Sequence, residues 1–182
     1  GPNSAERHHV LLEAARLAYA ARDAFVADPD NAATPIDHML SDDVIETLVR
    51  RIDRARRTPD LGPVPRPVGS DTTYLTVVDE DGMAVSFINS LFSDFGSGIV
   101  GPRSGVVLNN RGQGFVLDPR HPNVIAPGKR PLHTLVPAMA MLDGDPWLSF
   151  GVMGGAYQPT GHVFVLSNML DYDLDAQEAL DL

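Results

Sequence analysis

The sequence has no cysteine, which removes disulfides, thiolate metal ligands and a cysteine nucleophile together. Long apolar runs are missing as well: no stretch approaches the roughly 18 residues of a membrane-spanning helix. Basic residues are scarce, 14 against 24 acidic ones, and the net charge of -10 offers no basic field to phosphates. Neither nucleic acid nor a membrane is an expected partner; a small molecule is. The histidines His8, His9, His121, His133 and His162 have no close ligand spacing with acids or with each other, so no metal and no cofactor are expected. The start, Gly1-Pro2-Asn3-Ser4, shows neither an initiator methionine nor a signal-peptide pattern, and the compartment, cytoplasmic or periplasmic, stays open.

What is present is ordinary for a folded chain. Of 182 residues, 43% are hydrophobic and 21% charged, enough for one core. From Asn3 as cap, with Glu6 in capping-box spacing, Val10, Leu11, Leu12, Ala15, Leu17 and Ala18 predict a helix that stops before Asp28-Pro29-Asp30. Val44, Ile45, Leu48, Val49 and Ile52 predict a second helix after Ser41, with a basic end at Arg50 to Arg57. Residues 58–70, with four prolines and two glycines, form a linker.

Beyond the linker the period changes. Thr73 to Val78 and Met83 to Ser90 predict a hairpin around Asp81-Gly82, and Leu135 to Leu142 with Trp147 to Val152 a second one around Asp143-Gly144. Shorter strands are expected at Val106 to Leu108 and Phe115 to Leu117. From Gly154-Gly155 through His162 to Leu166 a strand should turn into a helix, and another helix starts in Asp175 to Leu182, which makes both chain ends look cut. Helices, linker, strands and helix in that order argue an α+β class.

At Ser70-Asp71-Thr72-Thr73 a hydroxyl residue opens a strand directly after an accessible segment. Alone, Thr72 is simply a β-branched strand starter. The blocks that follow change its meaning: TTYLTVVDEDGMAVS, FINSLFSDFGSGIVGPRSGVV from Phe87, LNNRGQGF from Leu108, PNVIAPGKRPLHTLVPAM from Pro122 and GVMGG from Gly151. In order and spacing, across residues 71–182, they resemble the small catalytic subunit of the gamma-glutamyltranspeptidase family. Residues 3–57 resemble the end of that family's large subunit. The resemblance implies a division into 1–57 (large-subunit end), 58–71 (linker) and 72–182 (catalytic part), within a partial αββα four-layer sandwich of the N-terminal-nucleophile hydrolase type.

It also implies a zymogen that cleaves itself between Asp71 and Thr72, after which the threonine is the nucleophile and its new α-amine the base. The chemistry suits the residue: a threonine hydroxyl needs a base, and a terminal amine titrates near pH 8. By the same resemblance Ser90 supports the nucleophile, Gly154 and Gly155 form an oxyanion hole, and Arg111, His133 and Thr134 border the substrate. Each has a plainer alternative: a polar strand residue, a glycine turn, surface charge. Lys129-Arg130 divides in the same way.

The chain departs from the glutathione enzymes at Phe92, where asparagine is expected, at Arg111 for glutamine, at Gly114 for aspartate and at His133-Thr134 for two serines. Losing the aspartate removes the counter-charge for a substrate ammonium, while Arg111 invites an anionic acyl group. These variants resemble the hydrolytic oxamate amidohydrolase-like and acylase-like branches, so amide hydrolysis is expected over acyl transfer. The partners implied are a small amide or gamma-glutamyl substrate and the remainder of the large and small subunits. The competing expectation is a truncated, non-catalytic fragment that keeps the scaffold.

Overall fold

A computed structural model describes residues 1–59, 61 and 72–182. Its class is α+β. Contacts group the described residues into two units: one from 1–65, 114–132 and 167–182, the other from 66–113 and 133–166.

The first unit is helical. α1 (Ala5–Phe25) is capped by Ser4, whose side chain accepts from the Arg7 N–H, so the cap lies one residue beyond the expected Asn3. α1 ends at Phe25, ahead of the Asp28-Pro29-Asp30 stop. A short α2 (Ile36–Met39), too brief for periodicity to disclose, precedes α3 (Asp42–Arg50), which starts after Ser41 as expected. Leu17, Ala27 and Ala179 form the buried apolar positions. Two carboxylates lie among them. Glu13 accepts from the Thr58 N–H (2.7 Å) and from Arg16 (2.6 Å). Asp28 accepts from the backbone N–H of Arg130 and from its Nε and Nη2 (2.9, 3.0 and 2.7 Å). Thr58, where the linker is expected to begin, is 5% exposed and donates to the Arg51 carbonyl. The rest of that segment, Asp60 and residues 62–71, lies outside the described residues.

The second unit holds two antiparallel hairpins. β1 (Thr72–Val78) pairs with β2 (Ala84–Ser90) in a register that sets Thr72 opposite Ser90, Tyr74 opposite Ile88 and Thr76 opposite Ser86. Gly82 supplies the positive φ (83°) of the connecting turn. β3 (Ala138–Leu142) pairs with β4 (Asp145–Phe150) across Asp143-Gly144, whose φ values of 52° and 95° suit a type I′ turn. A register shift at Ala140/Met141 accommodates Pro146. Both hairpins form where the sequence places them, with β1 one residue longer than expected, β2 and β3 shorter, and β4 shifted two residues toward the turn. The strands expected at Val106 to Leu108 and Phe115 to Leu117 do not form; the isolated bridges Val100–Val107 and Val116–Val124 stand there instead. Gly105 and Asn109-Asn110 bound the first run, and Gly114 and Asp118-Pro119 the second, leaving too few consecutive residues for a ladder.

After β4 the chain passes Gly154 and a 3-10 turn (Gly155–Tyr157) into α4 (Gln158–Tyr172). α5 (Ala176–Asp181) opens with a capping box of Asp175 and Glu178, and Asn168 of α4, fully buried, donates to the Ala179 carbonyl.

Candidate active site

Strand alternation decides which side chains of the first hairpin meet. Thr72, Tyr74 and Thr76 share one face of β1, and Ser86, Ile88 and Ser90 share the paired face of β2. This face is the covered one, with Thr72 and Ile88 buried. Serine and tyrosine hydroxyls lace it to β4: Tyr74 Oη lies 2.7 Å from Ser149 Oγ and 3.1 Å from Ser86 Oγ, and Thr76 Oγ1 donates to Ser149 Oγ. At the open end of the hairpin the lacing stops. Thr72 is 7% exposed, and its Oγ1 has no hydrogen-bond partner among the described residues. Asp71, the other half of the expected cleavage bond, lies outside those residues.

Ser90, opposite Thr72, accepts the backbone N–H of Phe92 at 2.9 Å. That bond holds Phe92 at φ 85°, a conformation a bulky side chain rarely adopts. Asn110 secures the same segment from the other side, donating its N–H to the Leu91 carbonyl and accepting the Ser93 N–H on Oδ1. The next residue, Arg111, therefore comes to lie over the Phe92 ring, 5.2 Å from its centre. Arg111 opens a 3-10 turn (Arg111–Gly114), where Asn109 Oδ1 accepts its N–H. Arg111 is 5% exposed; Nη1 donates to Thr134 Oγ1 at 2.9 Å, while Nη2 is buried with no partner among the described residues. No carboxylate pairs with Arg111 there, and burial pushes the guanidinium pKa down. His133, next to Thr134, keeps solvent access, yet desolvation first and the Arg111 charge second lower its pKa. Its Nδ1 accepts the Leu135 N–H, which leaves the proton of the neutral ring on Nε2.

The glycine pair follows β4. Gly154 has φ 127° and Gly155 φ 57°, and a Cβ on Gly154 would stand 3.3 Å from the Tyr157 side chain. Gly151, three residues earlier, is pressed so closely on the Tyr74 ring that a Cβ would clash with its Cδ2–Cε2 edge. Tyr74 shares its β1 face with Thr72, so Gly151, just after β4, lies on that same side of the hairpin. Two buried polar residues that the sequence did not single out lie just beyond. Gln158, fully buried, accepts the Val136 N–H on Oε1, and its Nε2 is unpaired among the described residues. His162, one helical turn later, stacks edge-on against Phe150, and its Nε2 is likewise unpaired. Their four-residue spacing on α4 was the available signal. Arg130 belongs to the other unit, where Asp28 and Asp30 bind it.

The structure thus sets Thr72 opposite Ser90, joins Ser90 through Phe92 to Arg111, and joins Arg111 to Thr134 and His133. Among the described residues no cluster of three or more His, Asp or Glu side chains could hold a metal ion, and no helix is long and apolar enough to cross a membrane.

A buried hydroxyl, unpaired among the described residues, thus heads β1 and stands opposite a second hydroxyl across the ladder. The family model described as gamma-glutamyltranspeptidase matches residues 1–182, and the chain belongs to that family. The glutathione hydrolase-like YwrD proenzyme of Bacillus subtilis is 40% identical over 97% of this chain and 33% of its own length. The oxamate amidohydrolase proenzyme of Klebsiella pneumoniae is 37% identical over 98% of this chain and 33% of its own. Among solved structures, cephalosporin acylase from Bacillus halodurans superposes with a TM-score of 0.85 at 35% identity, covering all of this chain and 33% of that one. The α+β fold is therefore that of the N-terminal-nucleophile hydrolases, and the relatives' names are those of hydrolytic and acylase-type enzymes. The chain spans about a third of the length of the curated relatives it matches.

Proposed function

We propose that this chain carries the processing site and nucleophile of an amide hydrolase that cuts its own precursor between Asp71 and Thr72. The Thr72 hydroxyl carries the proposal: it is buried, unpaired among the described residues, first in its strand and opposite a second hydroxyl. Leaving a buried hydroxyl unpaired costs about 1 to 3 kcal/mol, and a catalytic role is one reason such a cost is retained. The relatives named proenzymes support the processing step.

In the precursor the Thr72 nitrogen is an amide and cannot act as a base. Oγ1 attacks the Asp71 carbonyl, the acyl group moves from nitrogen to oxygen as the C–N bond breaks and frees the α-amine, and water then hydrolyses the ester to release the Asp71 carboxylate and restore the Thr72 hydroxyl. The amine, titrating near pH 8, then takes the Oγ1 proton as the hydroxyl attacks a substrate amide. Gly154 and Gly155 offer backbone N–H groups to the developing oxyanion, each worth roughly 3 to 4 kcal/mol in comparable sites. The amine half leaves with the proton, and water releases the acyl group from Thr72. An amine in place of that water would make the same intermediate an acyl donor. Ser90 acts as a positioning residue, holding Phe92 and standing across from the nucleophile.

The outward face of the first hairpin supports a further part of the proposal. Leu75, Val77, Val85 and Phe87 are 44%, 56%, 46% and 48% exposed and form cross-strand apolar pairs. A contiguous apolar sheet face is suited to burial, and the remainder of the same protein is the proposed cover.

The substrate is a small amide; the relatives' names denote hydrolysis, and Gly114 and Arg111, in place of aspartate and glutamine, favour an oxamate-like amide over a gamma-glutamyl one. Ammonia release from oxamate should exceed aniline release from a gamma-glutamyl anilide, with both abolished in Thr72→Ala and partly kept in Thr72→Ser. A processed protein that turns over neither substrate would favour a non-catalytic scaffold.

A further inference from the structure

The glycine segment after β4 makes close contacts with two different elements. One is the Tyr74 ring of β1, against which only a residue without a Cβ can pass at position 151. The other is α4, where Gly161 leaves room for Val152 and Tyr157: a Cβ there would stand 2.7 Å from Val152 Cγ1 and 2.9 Å from Tyr157 Cε1. Tyr157 in turn lies against Gly154. Close-packed interiors transmit such contacts rather than absorb them. Tyr74 is itself braced. Its Oη lies 2.7 Å from Ser149 Oγ of β4 and 3.1 Å from Ser86 Oγ of β2, and Ser149 Oγ also accepts from Thr76 Oγ1 at 2.9 Å. Four hydroxyls from three strands thus fix a ring whose edge sets where the glycine segment runs. Thr72 stands two residues from Tyr74 on the same face of β1, about 7 Å along the strand.

We propose that Tyr74 and Gly151 form a spacer that fixes the separation between the Thr72 hydroxyl and the backbone donors of the Gly154–Gly155 turn, which makes Tyr74 a positioning residue for the attack on a substrate amide. The inference rests on the reading of Thr72 as nucleophile and of the glycine turn as oxyanion donor. Attack requires the hydroxyl and the donors to meet one carbonyl at the same time, and a misplacement of about 1 Å can cost on the order of 100-fold in rate. The nucleophile lies on β1 and the donors follow β4, so their separation depends on what joins the two hairpins. The Tyr74 hydroxyl bridges β2 and β4, and its ring meets the chain three residues before Gly154. A phenylalanine would fill the same space without the bridge; a leucine would provide neither.

The test is a double-mutant cycle read in kcat and KM for ammonia release from oxamate, on the protein expressed from its complete reading frame and with rates taken per processed chain. Tyr74→Leu should lower kcat on the order of 100-fold, and Tyr74→Phe and Ser149→Ala on the order of 3- to 10-fold, each with a KM change under about 3-fold. Gly151→Ala should lower kcat on the order of 10- to 100-fold in the wild type but less than about 3-fold in Tyr74→Leu, where no ring remains for its Cβ to meet. Leu17→Val, which trims the core of the helical unit, is the control for stability loss alone and should keep kcat. If Gly151→Ala does not fold, the comparison of Tyr74→Leu, Tyr74→Phe and Ser149→Ala with Leu17→Val decides the matter. Wild-type kcat in all three, or losses in Tyr74→Leu and Gly151→Ala that simply multiply, would overturn the spacer while an inactive Thr72→Ala keeps the nucleophile. Full turnover in Thr72→Ala would sink both.

Discussion

Thr72 and Ser90 face each other across the open end of the β1–β2 hairpin, and among the described residues only the Ser90 hydroxyl of the two is engaged, by the Phe92 N–H. The pair joins an unpaired buried hydroxyl to an engaged one.

Ser90→Ala should therefore act through Phe92. Without the acceptor, Phe92 has less to hold its positive φ, and processing and hydrolysis should both slow, by about 10-fold or more. Ser90→Thr keeps the oxygen and should keep most of the rate. Single-turnover rates for the three proteins check this, with a KM change smaller than the kcat change expected for a positioning role.

Gly154→Ala should lower kcat by roughly 100- to 1,000-fold, because a Cβ at φ 127° is strained, crowds Tyr157 and turns the backbone donors away. Gly82→Asn is the comparison. Gly82 also has positive φ but opens on empty space, and its variant should keep full activity with a small loss of stability.

Tyr74→Phe removes a hydroxyl that bridges Ser86 and Ser149 and so links the two hairpins. It should cost about 1 kcal/mol in a urea melt. Gly151→Ala should cost more, since the added Cβ clashes with the edge of the Tyr74 ring.

How much of this was legible in the sequence follows from how far apart the interacting residues lie. The hairpins were readable because an Asp-Gly turn and alternation fix the register, and the register alone sets Thr72 opposite Ser90. α1 and α3 were readable from their apolar spacing, with α1's cap misplaced by one residue because Asn3 and Ser4 are both good caps. The strands expected at Val106 to Leu108 and Phe115 to Leu117 came from apolar runs that no neighbour pairs beyond single bridges. Arg111, His133 and Thr134 could be nominated by resemblance, but the 23-residue step from Arg111 to Thr134 has no periodicity behind it. Gln158 and His162 are ordinary helix residues until their burial is seen.

Acid should weaken the helical unit. Burial alone would raise the Glu13 pKa, but the Thr58 hydrogen bonds and Arg16 outweigh it and hold it at about 2, against an ordinary 4.5. Asp28 is held well below the usual carboxylate range by the side-chain and backbone hydrogen bonds of Arg130. Both folded values lie below the unfolded ones, so the stabilisation is complete above about pH 5 and is lost as the pH falls toward 2. Urea melts from pH 7 to pH 3 should show that decline, and Glu13→Gln should be less stable at pH 7 and show a shallower decline.

The most direct test of the account is the intact mass and N-terminal sequence of the protein purified from its complete reading frame, alongside Thr72→Ala. The account predicts two chains in the wild type, one of them beginning Thr72-Thr73-Tyr74, and a single uncut chain in the variant. A wild type that stays uncut while it hydrolyses amides, or one cut at another bond, would contradict it.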